Sequence, residues 1–423
     1  MSPAWLSFLA LIVVIFVSRR ERINVGILAM GLAWIIGSYA AGMKTQDVTE
    51  LFPLPLFIIL FGITFFFGLA KVNGTLDQFI RLMIRCTQGQ VNLFPISVFI
   101  FAFILSMIGP GNIGTVALLA PFVMAMAAKI GMNAILMTII LVMGANAGTF
   151  SPFAPTGIIA NGLVARIGLV MDPWGQIFLP NFLAHTFIAL CCYIAFILRQ
   201  KRLSAKDKFD MNEIAGTVSK PLDHRQKVTI LAIVILILGV VFVKADIGFL
   251  AIALASVLML AGVSEGEEAI KIVPWNVIIM VCGVSTLIGI MEKTGGLDLF
   301  TNVLARVSNT TSVTGMIALF TGLISCYSSS SGVIMPAFIP IVPELIEKLG
   351  GGDPIAIVAS INVGSHVVDI SPLSTLGALC IANAAKIEDK SKLFRHLFML
   401  AFGMAFVGGG ICHLFFGLLA QWF

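Results

Sequence analysis

Ten stretches of this chain are apolar for long enough to enter a lipid bilayer, near 3–18, 23–42, 52–71, 133–165, 176–198, 228–243, 247–263, 273–291, 353–384 and 394–418. A membrane core needs about 20 residues of helix to cross it, at roughly 1.5 Å per residue. Backbone groups in that core must pair among themselves, so only helices and closed barrels span it. Barrel strands alternate apolar with polar residues, and these runs do not alternate. Of the 423 residues 59% are hydrophobic and only 11% are charged, too few to cover a soluble core. The sequence therefore predicts an all-α polytopic membrane protein and excludes a soluble enzyme, a disulfide scaffold and a disordered chain. Arg19, Arg20 and Arg22 follow the first run instead of preceding it, so that run reads as an uncleaved span rather than a signal peptide. The seven cysteines form no CxxC pair and read as small packing residues.

Four segments carry polar breaks. Residues 94–130 and 313–348 each hold two apolar stretches around a small-residue turn, Gly109-Pro110-Gly111-Asn112-Ile113-Gly114-Thr115 and Ser328-Ser329-Ser330-Ser331-Gly332. Both read as re-entrant hairpins. Residues 133–165 and 353–384 are broken helices, interrupted at Asn146-Ala147-Gly148-Thr149-Phe150-Ser151-Pro152 and His366-Val367-Val368-Asp369-Ile370-Ser371-Pro372. In each, Ser then Pro is the pattern of an N-cap followed by proline at the first helical position. Irregular backbone at membrane depth is tolerated only inside protein or against a wet cavity, which makes all four breaks site candidates.

The breaks belong to an internal repeat. Gly62, Gly68, Gly74, Leu76, Asp77, Phe79 and Arg85 recur as Gly283, Gly289, Gly295, Leu297, Asp298, Phe300 and Arg306, 221 positions on. Gly144, Ser151, Pro152 and Gly157 recur as Gly364, Ser371, Pro372 and Gly377, 220 positions on. The division expected is a first half over 1–200, a linker over 201–225 and a second half over 226–423, each half with five spans, one hairpin and one broken helix. Five is odd, so the second half enters the membrane inverted. The segment 199–227 holds eight Lys and Arg, so it is expected on the cytoplasmic side, with both termini outside. Arg19, Arg20, Arg22, Lys71, Arg81, Arg85, Lys129, Lys386, Lys390, Lys392 and Arg395 then fall inside, while Lys293, Arg306 and Lys348 fall outside. The motifs GTLDQF at 74–79 and GGLDLF at 295–300 read as starts of connecting helices at the interface.

Inverted repeats with discontinuous helices are the pattern of secondary transporters that bind near the midplane. Each helix N-terminus at a break carries roughly half a positive charge and free N–H donors. No Lys or Arg lies in the apolar core of these segments. An anion is thus expected to be held by Asn112, Gly114, Thr115, Ser151, Thr156, Ser329, Ser330, Ser331, Ser374 and Thr375. Candidates for a Na⁺ or H⁺ site are Asn112, Asn146, Thr149, Ser328, His366 and Asp369. Asp369 stands out because an intramembrane acid is expensive and usually functional. Its repeat counterpart is Thr149, so the halves are not equivalent there.

These features resemble the ion transporter superfamily, which includes the divalent anion:sodium symporters. The stretches INVGILAMGLAWIIGSYAAGMKT at 23–45, VNGTLDQFIRLMIR at 72–85 and GANAGTFSPFAPTGIIANGLVARIGL at 144–169 most resemble malonate/dicarboxylate carriers of the MatC type. The symporters carry Ser-Asn-Thr at each hairpin tip. Here the tips read Gly111-Asn112-Ile113 and Ser329-Ser330-Ser331, so the resemblance implies Asn112 and Ser328–Ser331 as contacts. It also implies a homodimer with a scaffold, near 23–71 and 247–291, and a moving transport domain. The expectation is a secondary transporter of a small organic dianion in the inner membrane, coupled to Na⁺ or protons. It needs no cofactor beyond the coupling ion and no nucleic acid. The rivals are a Na⁺/H⁺ antiporter using Asp369 and an inorganic oxyanion permease. An embedded enzyme is disfavoured because HExxH, GxSxG and paired intramembrane Asp motifs are absent.

Overall fold

A computed structural model describes residues 2–17, 23–76, 78, 93–199, 222–243, 245–326, 328–384 and 389–418, and among these there is helix and no strand. The first half runs α1 Pro3–Val17, α2 Val25–Ile35 with a π turn Ile36–Ala40, α3 Thr45–Glu50, α4 Leu54–Val72, α5 Phe94–Met107, α6 Gly111–Lys129, α7 Ala134–Thr149, α8 Pro155–Arg166 and α9 Leu179–Arg199. The second runs α10 His224–Phe242, α11 Ile247–Leu260, α12 Gly266–Ile272, α13 Trp275–Thr294, α14 Gly296–Val307, α15 Val313–Ser325, a π turn Ser330–Ile334, α16 Met335–Phe338, α17 Val342–Leu349, α18 Pro354–His366, α19 Thr375–Ala382 and α20 Lys390–Cys412. Most of the linker 201–225, with Arg19, Arg20, Arg22, Arg81, Arg85 and Lys386, lies outside the described residues.

Local chemistry sets many of these boundaries. Asn24, Asn133, Asp223, Asp246, Asp353 and Asp389 cap the helices that follow, each accepting a backbone N–H with its side chain. Gly295, at φ +77°, ends α13 in the left-handed region and starts α14, as expected for the GGLDLF motif. By length and composition five described helices suffice to cross a membrane, Leu54–Val72, Gly111–Lys129, Pro173–Phe196, Trp275–Thr294 and Lys390–Gly417. Large apolar side chains such as Leu183, Phe187, Leu231, Leu238, Met399 and Phe406 stand exposed on α9, α10 and α20. A surface of that kind is stable against lipid, not water.

The packing exchanges partners between the halves. α4 starts at Leu54 and α13 at Trp275; α2 starts at Val25 and α11 at Ile247. α2 packs on α13, and α4 packs on α11. Both contacts depend on glycine. A Cβ on Gly26 would lie 2.1 Å from the Ile279 carbonyl oxygen, and one on Gly283 would lie 2.1 Å from the Gly26 oxygen. At the other contact, a Cβ on Gly62 would lie 2.4 Å from the Gly248 oxygen. The remaining helices pack as matching sets, α5 on α7 and α7 on α9, then α15 on α18 and α18 on α20.

Two expectations about the breaks are corrected. Helices restart at Pro155 and Thr375, not at Pro152 and Pro372, and the N-cap positions are Ala154 and Ser374. Ser151 and Ser371 have another task. Ser151 Oγ donates to the Met107 carbonyl (2.5 Å) and Ser371 Oγ to the Cys326 carbonyl (2.6 Å), the open C-terminal ends of α5 and α15. Each break is therefore pinned to the hairpin that precedes it, and the chain stays non-helical until those carbonyls are satisfied. The second hairpin also differs from two plain helices. Its returning arm is a π turn and the short helices α16 and α17, interrupted around Pro340, whereas α6 carries Pro121 inside a continuous helix.

Candidate substrate and cation site

One hydrogen-bonded chain runs through all four breaks. Asn112, at the start of α6, donates from Nδ2 to Asn146 Oδ1 at the end of α7 (2.8 Å). Asn146 donates in turn to Asp369 Oδ2 (3.0 Å) and to the His366 carbonyl (2.8 Å). The other Asp369 oxygen accepts from Ser330 Oγ at the second hairpin tip (2.7 Å). The single Ser330 hydrogen is shared with the Ser365 carbonyl (3.0 Å), and Ser325 Oγ stands 2.7 Å away as the remaining donor to Ser330. Residues far apart in sequence thus meet across the middle of the molecule.

The electrostatics of this chain are one-sided. Asp369 is only 5% exposed. Among the described residues it has no Lys or Arg partner, since the ion pairs found join Lys271 with Glu268 and Lys348 with Asp298 and Glu344. Two neutral donors offset only part of the cost of burying a carboxylate; a bound cation or a proton offsets the rest. Oxygen ligands for a hard cation surround it: the carboxylate, the Ser330 hydroxyl and the carbonyls of Ser365 and His366. No cluster of three or more His, Cys, Asp or Glu exists among the described residues, so nothing there suits a soft transition metal.

Two cavities flank the hairpin tips. The larger, about 550 Å³, is lined by Asn112, Ser328, Ser329, Ser330, Ser331, Asp369, Ser374 and Thr375 among the residues expected from sequence. The smaller, about 150 Å³, is lined by Asn112, Gly114, Thr156 and Ser331 of that set. Asn112, Ile113, Val277 and Ser331 belong to both walls.

Five expected residues line neither cavity. Thr149 is a second-tier support: its Oγ1 accepts from the Asn112 N–H (3.2 Å) and donates to Thr156 Oγ1 (3.0 Å). Asn146 acts through Asn112 and Asp369. Ser151 is spent on Met107, as above. Thr115 is fully buried, with an unpartnered hydroxyl. The His366 ring turns away from the site: Nδ1 lies 2.9 Å from the Asn362 carbonyl, and the ring packs edge-on to Phe150 with centroids 4.8 Å apart. Only its carbonyl enters the chain of hydrogen bonds. Ser374 caps α19 by accepting from the Gly377 N–H (3.3 Å), and it donates to the Asp369 carbonyl (2.5 Å).

The structure adds residues the sequence reading passed over. Asn24 and Asn276 line the larger cavity, with Asn24 Nδ2 bonded to the Asn276 carbonyl (3.1 Å). Both sit at helix starts, where an amide reads as a cap. Ser325 ends an apolar helix, and its link to Ser330 exists only once the hairpin folds. Away from the site, Glu344 pairs with Lys348 on the same helix.

Residues 1–149 match the family described as "Dicarboxylate carrier protein MatC N-terminus". The chain is similar there to a carrier. The fold of the Alcanivorax borkumensis YdaH transporter, described as having an unusual topology, superposes with a TM-score of 0.57 at 16% identity, covering 89% of this chain and 87% of that one. That likeness is one of fold. No functionally curated protein matches the chain. The carrier match over the first 149 residues points to a membrane transporter rather than an enzyme, and the likeness over most of the length adds the fold. The all-helical, multi-pass architecture expected from the apolar runs is the one found.

Proposed function

We propose that the chain is a secondary active transporter of a small organic dianion, malonate or a C4-dicarboxylate, coupled to Na⁺. In this reading it sits in the inner membrane as a homodimer, with both termini outside and segment 199–227 in the cytoplasm. Its two halves are inverted repeats, 1–200 and 226–423. The α2, α4, α11 and α13 set is the scaffold, and the hairpins and broken helices move past it in an elevator motion. The observation that carries the proposal is Asp369, a buried carboxylate with no cationic partner among the described residues, tied by Asn146 and Ser330 to both hairpin tips. Na⁺ at Asp369 and an anion beside it stabilise the same closed arrangement, so each raises the affinity of the other. The dicarboxylate carrier family matched over 1–149 supports the substrate class.

Thermal stability of the purified protein tests this, with malonate, succinate, sulfate and arsenite each in Na⁺ and in choline. A ligand that binds only the folded state raises stability by an amount set by its affinity. The expected result is a dicarboxylate shift that requires Na⁺. A shift from Na⁺ or pH alone, with every anion silent, makes the chain a cation/proton antiporter; a shift from sulfate or arsenite alone makes it an oxyanion permease.

A further inference from the structure

Resting on that proposed function, we infer that the two cavities divide the charges: the smaller is the anion lobe, with Lys71 as charge partner of a small organic carboxylate, and the Asp369 cavity is the cation lobe. Lys71 stands in the last turn of α4 and lines the smaller cavity. A lysine is favoured at a helix C-terminus whatever its function, so position alone carries little. The surroundings carry more. Lys71 is half-buried, and among the described residues no carboxylate pairs with it. Across the cavity stand the first residues of α6, a 19-residue helix whose N-terminus bears partial positive charge. Beside them is Thr156, 2% exposed; its oxygen accepts from Thr149, which leaves its own hydrogen unspent. The larger cavity has the opposite character. Among the described residues its wall includes Asp369 and no Lys or Arg, so a carboxylate placed there meets a like charge.

The smaller cavity also selects among anions. Between its polar points the wall is apolar, with Phe67, Ile113, Ala117, Ile159, Ile272 and Val277. Such a wall stabilises the CH₂ groups of a short carboxylic acid and offers nothing to a hydrated inorganic oxyanion. Because Asn112 and Ser331 border both cavities, a carboxylate in one and a cation in the other lie side by side with only the hairpin tips between them.

The experiment compares wild type, Lys71→Gln, Lys71→Arg and Thr156→Val by calorimetric binding of malonate, succinate and monomethyl malonate in Na⁺. Thermal stability with and without Na⁺ is read in parallel. Lys71→Gln is expected to weaken malonate binding by about tenfold or more, the order of one lost charge-assisted hydrogen bond. The singly charged half-ester should lose less, because it has one carboxylate fewer to neutralise. Lys71→Arg should retain most of the affinity and Thr156→Val should lose part of it. The Na⁺ shift should stay as in wild type in all three, and the ligand-free stability in both Lys71 variants; Thr156→Val leaves the buried Thr149 hydroxyl without its acceptor and should lower the ligand-free stability. Malonate binding by Lys71→Gln equal to wild type overturns the lobe assignment alone, as does loss of the Na⁺ shift in parallel with the anion. A wild type that binds no carboxylate overturns the proposed function, and the lobe assignment with it.

Discussion

Both oxygens of Asp369 are taken by neutral donors, Asn146 Nδ2 at 3.0 Å and Ser330 Oγ at 2.7 Å. Asp369→Asn keeps the size of the side chain and removes the charge. The expected outcome is a protein that still folds but whose thermal stability and transport no longer depend on Na⁺; unchanged Na⁺ dependence would leave Asp369 a purely structural group. Asn112→Ala and Ser330→Ala remove the ends of the same chain of bonds. Each should cut uptake into proteoliposomes by about tenfold, the scale of a hydrogen bond to a charged group. Ser285 is the control: its hydroxyl is buried in α13 with no partner among the described residues, and Ser285→Ala should leave uptake near wild type. Equal losses in all three would place the site elsewhere. At this scale the sequence disclosed the chemistry but not the assignments. Asn112, Ser330 and Asp369 were legible because polar groups in an apolar run are costly. The division of His366, with its carbonyl in the chain of bonds and its buried ring packed on Phe150, was not, because a side-chain rotamer depends on neighbours that sequence does not place.

The broken helices show what can and cannot be read at the level of elements. Ser then Pro marked both breaks correctly in position, yet the helices resume three residues later, at Pro155 and Thr375. Capping preferences are local and weak, worth about 1 kcal/mol. They lose to a buried carbonyl that has no other donor. Ser151→Ala and Ser371→Ala would orphan the carbonyls of Met107 and Cys326 and should each lower stability by about 1–3 kcal/mol. The fall in melting temperature should be similar for the two, since the two bonds are equivalent in the repeat. A loss at one site only would mean that the hairpins are not anchored alike.

For the molecule as a whole, the elevator reading makes α4 fixed and α8 mobile. These helices touch where the Leu56 side chain lies 3.4 Å from a Cβ placed on Gly162. In a background lacking the seven native cysteines, a disulfide between Leu56→Cys and Gly162→Cys should arrest transport, and reduction should restore it. Full transport with the bond closed would rule out relative motion of α4 and α8.

The sequence by itself determined that this chain enters a bilayer as helices, that residues such as Gly144, Ser151, Pro152 and Gly157 recur 220 positions on, and that four breaks interrupt the apolar runs. Each of these follows from local rules: backbone hydrogen bonds must close within a segment in lipid, and polar or proline-bearing stretches interrupt a helix. Only the tertiary structure decided that α2 pairs with α13 and α4 with α11, that Asn112, Asn146, Asp369 and Ser330 form one chain, and that Lys71 and Asp369 line separate cavities. Those relations join residues up to 257 positions apart, as with Gly26 and Gly283. They are fixed by close approach and charge in three dimensions, which no spacing along the chain encodes.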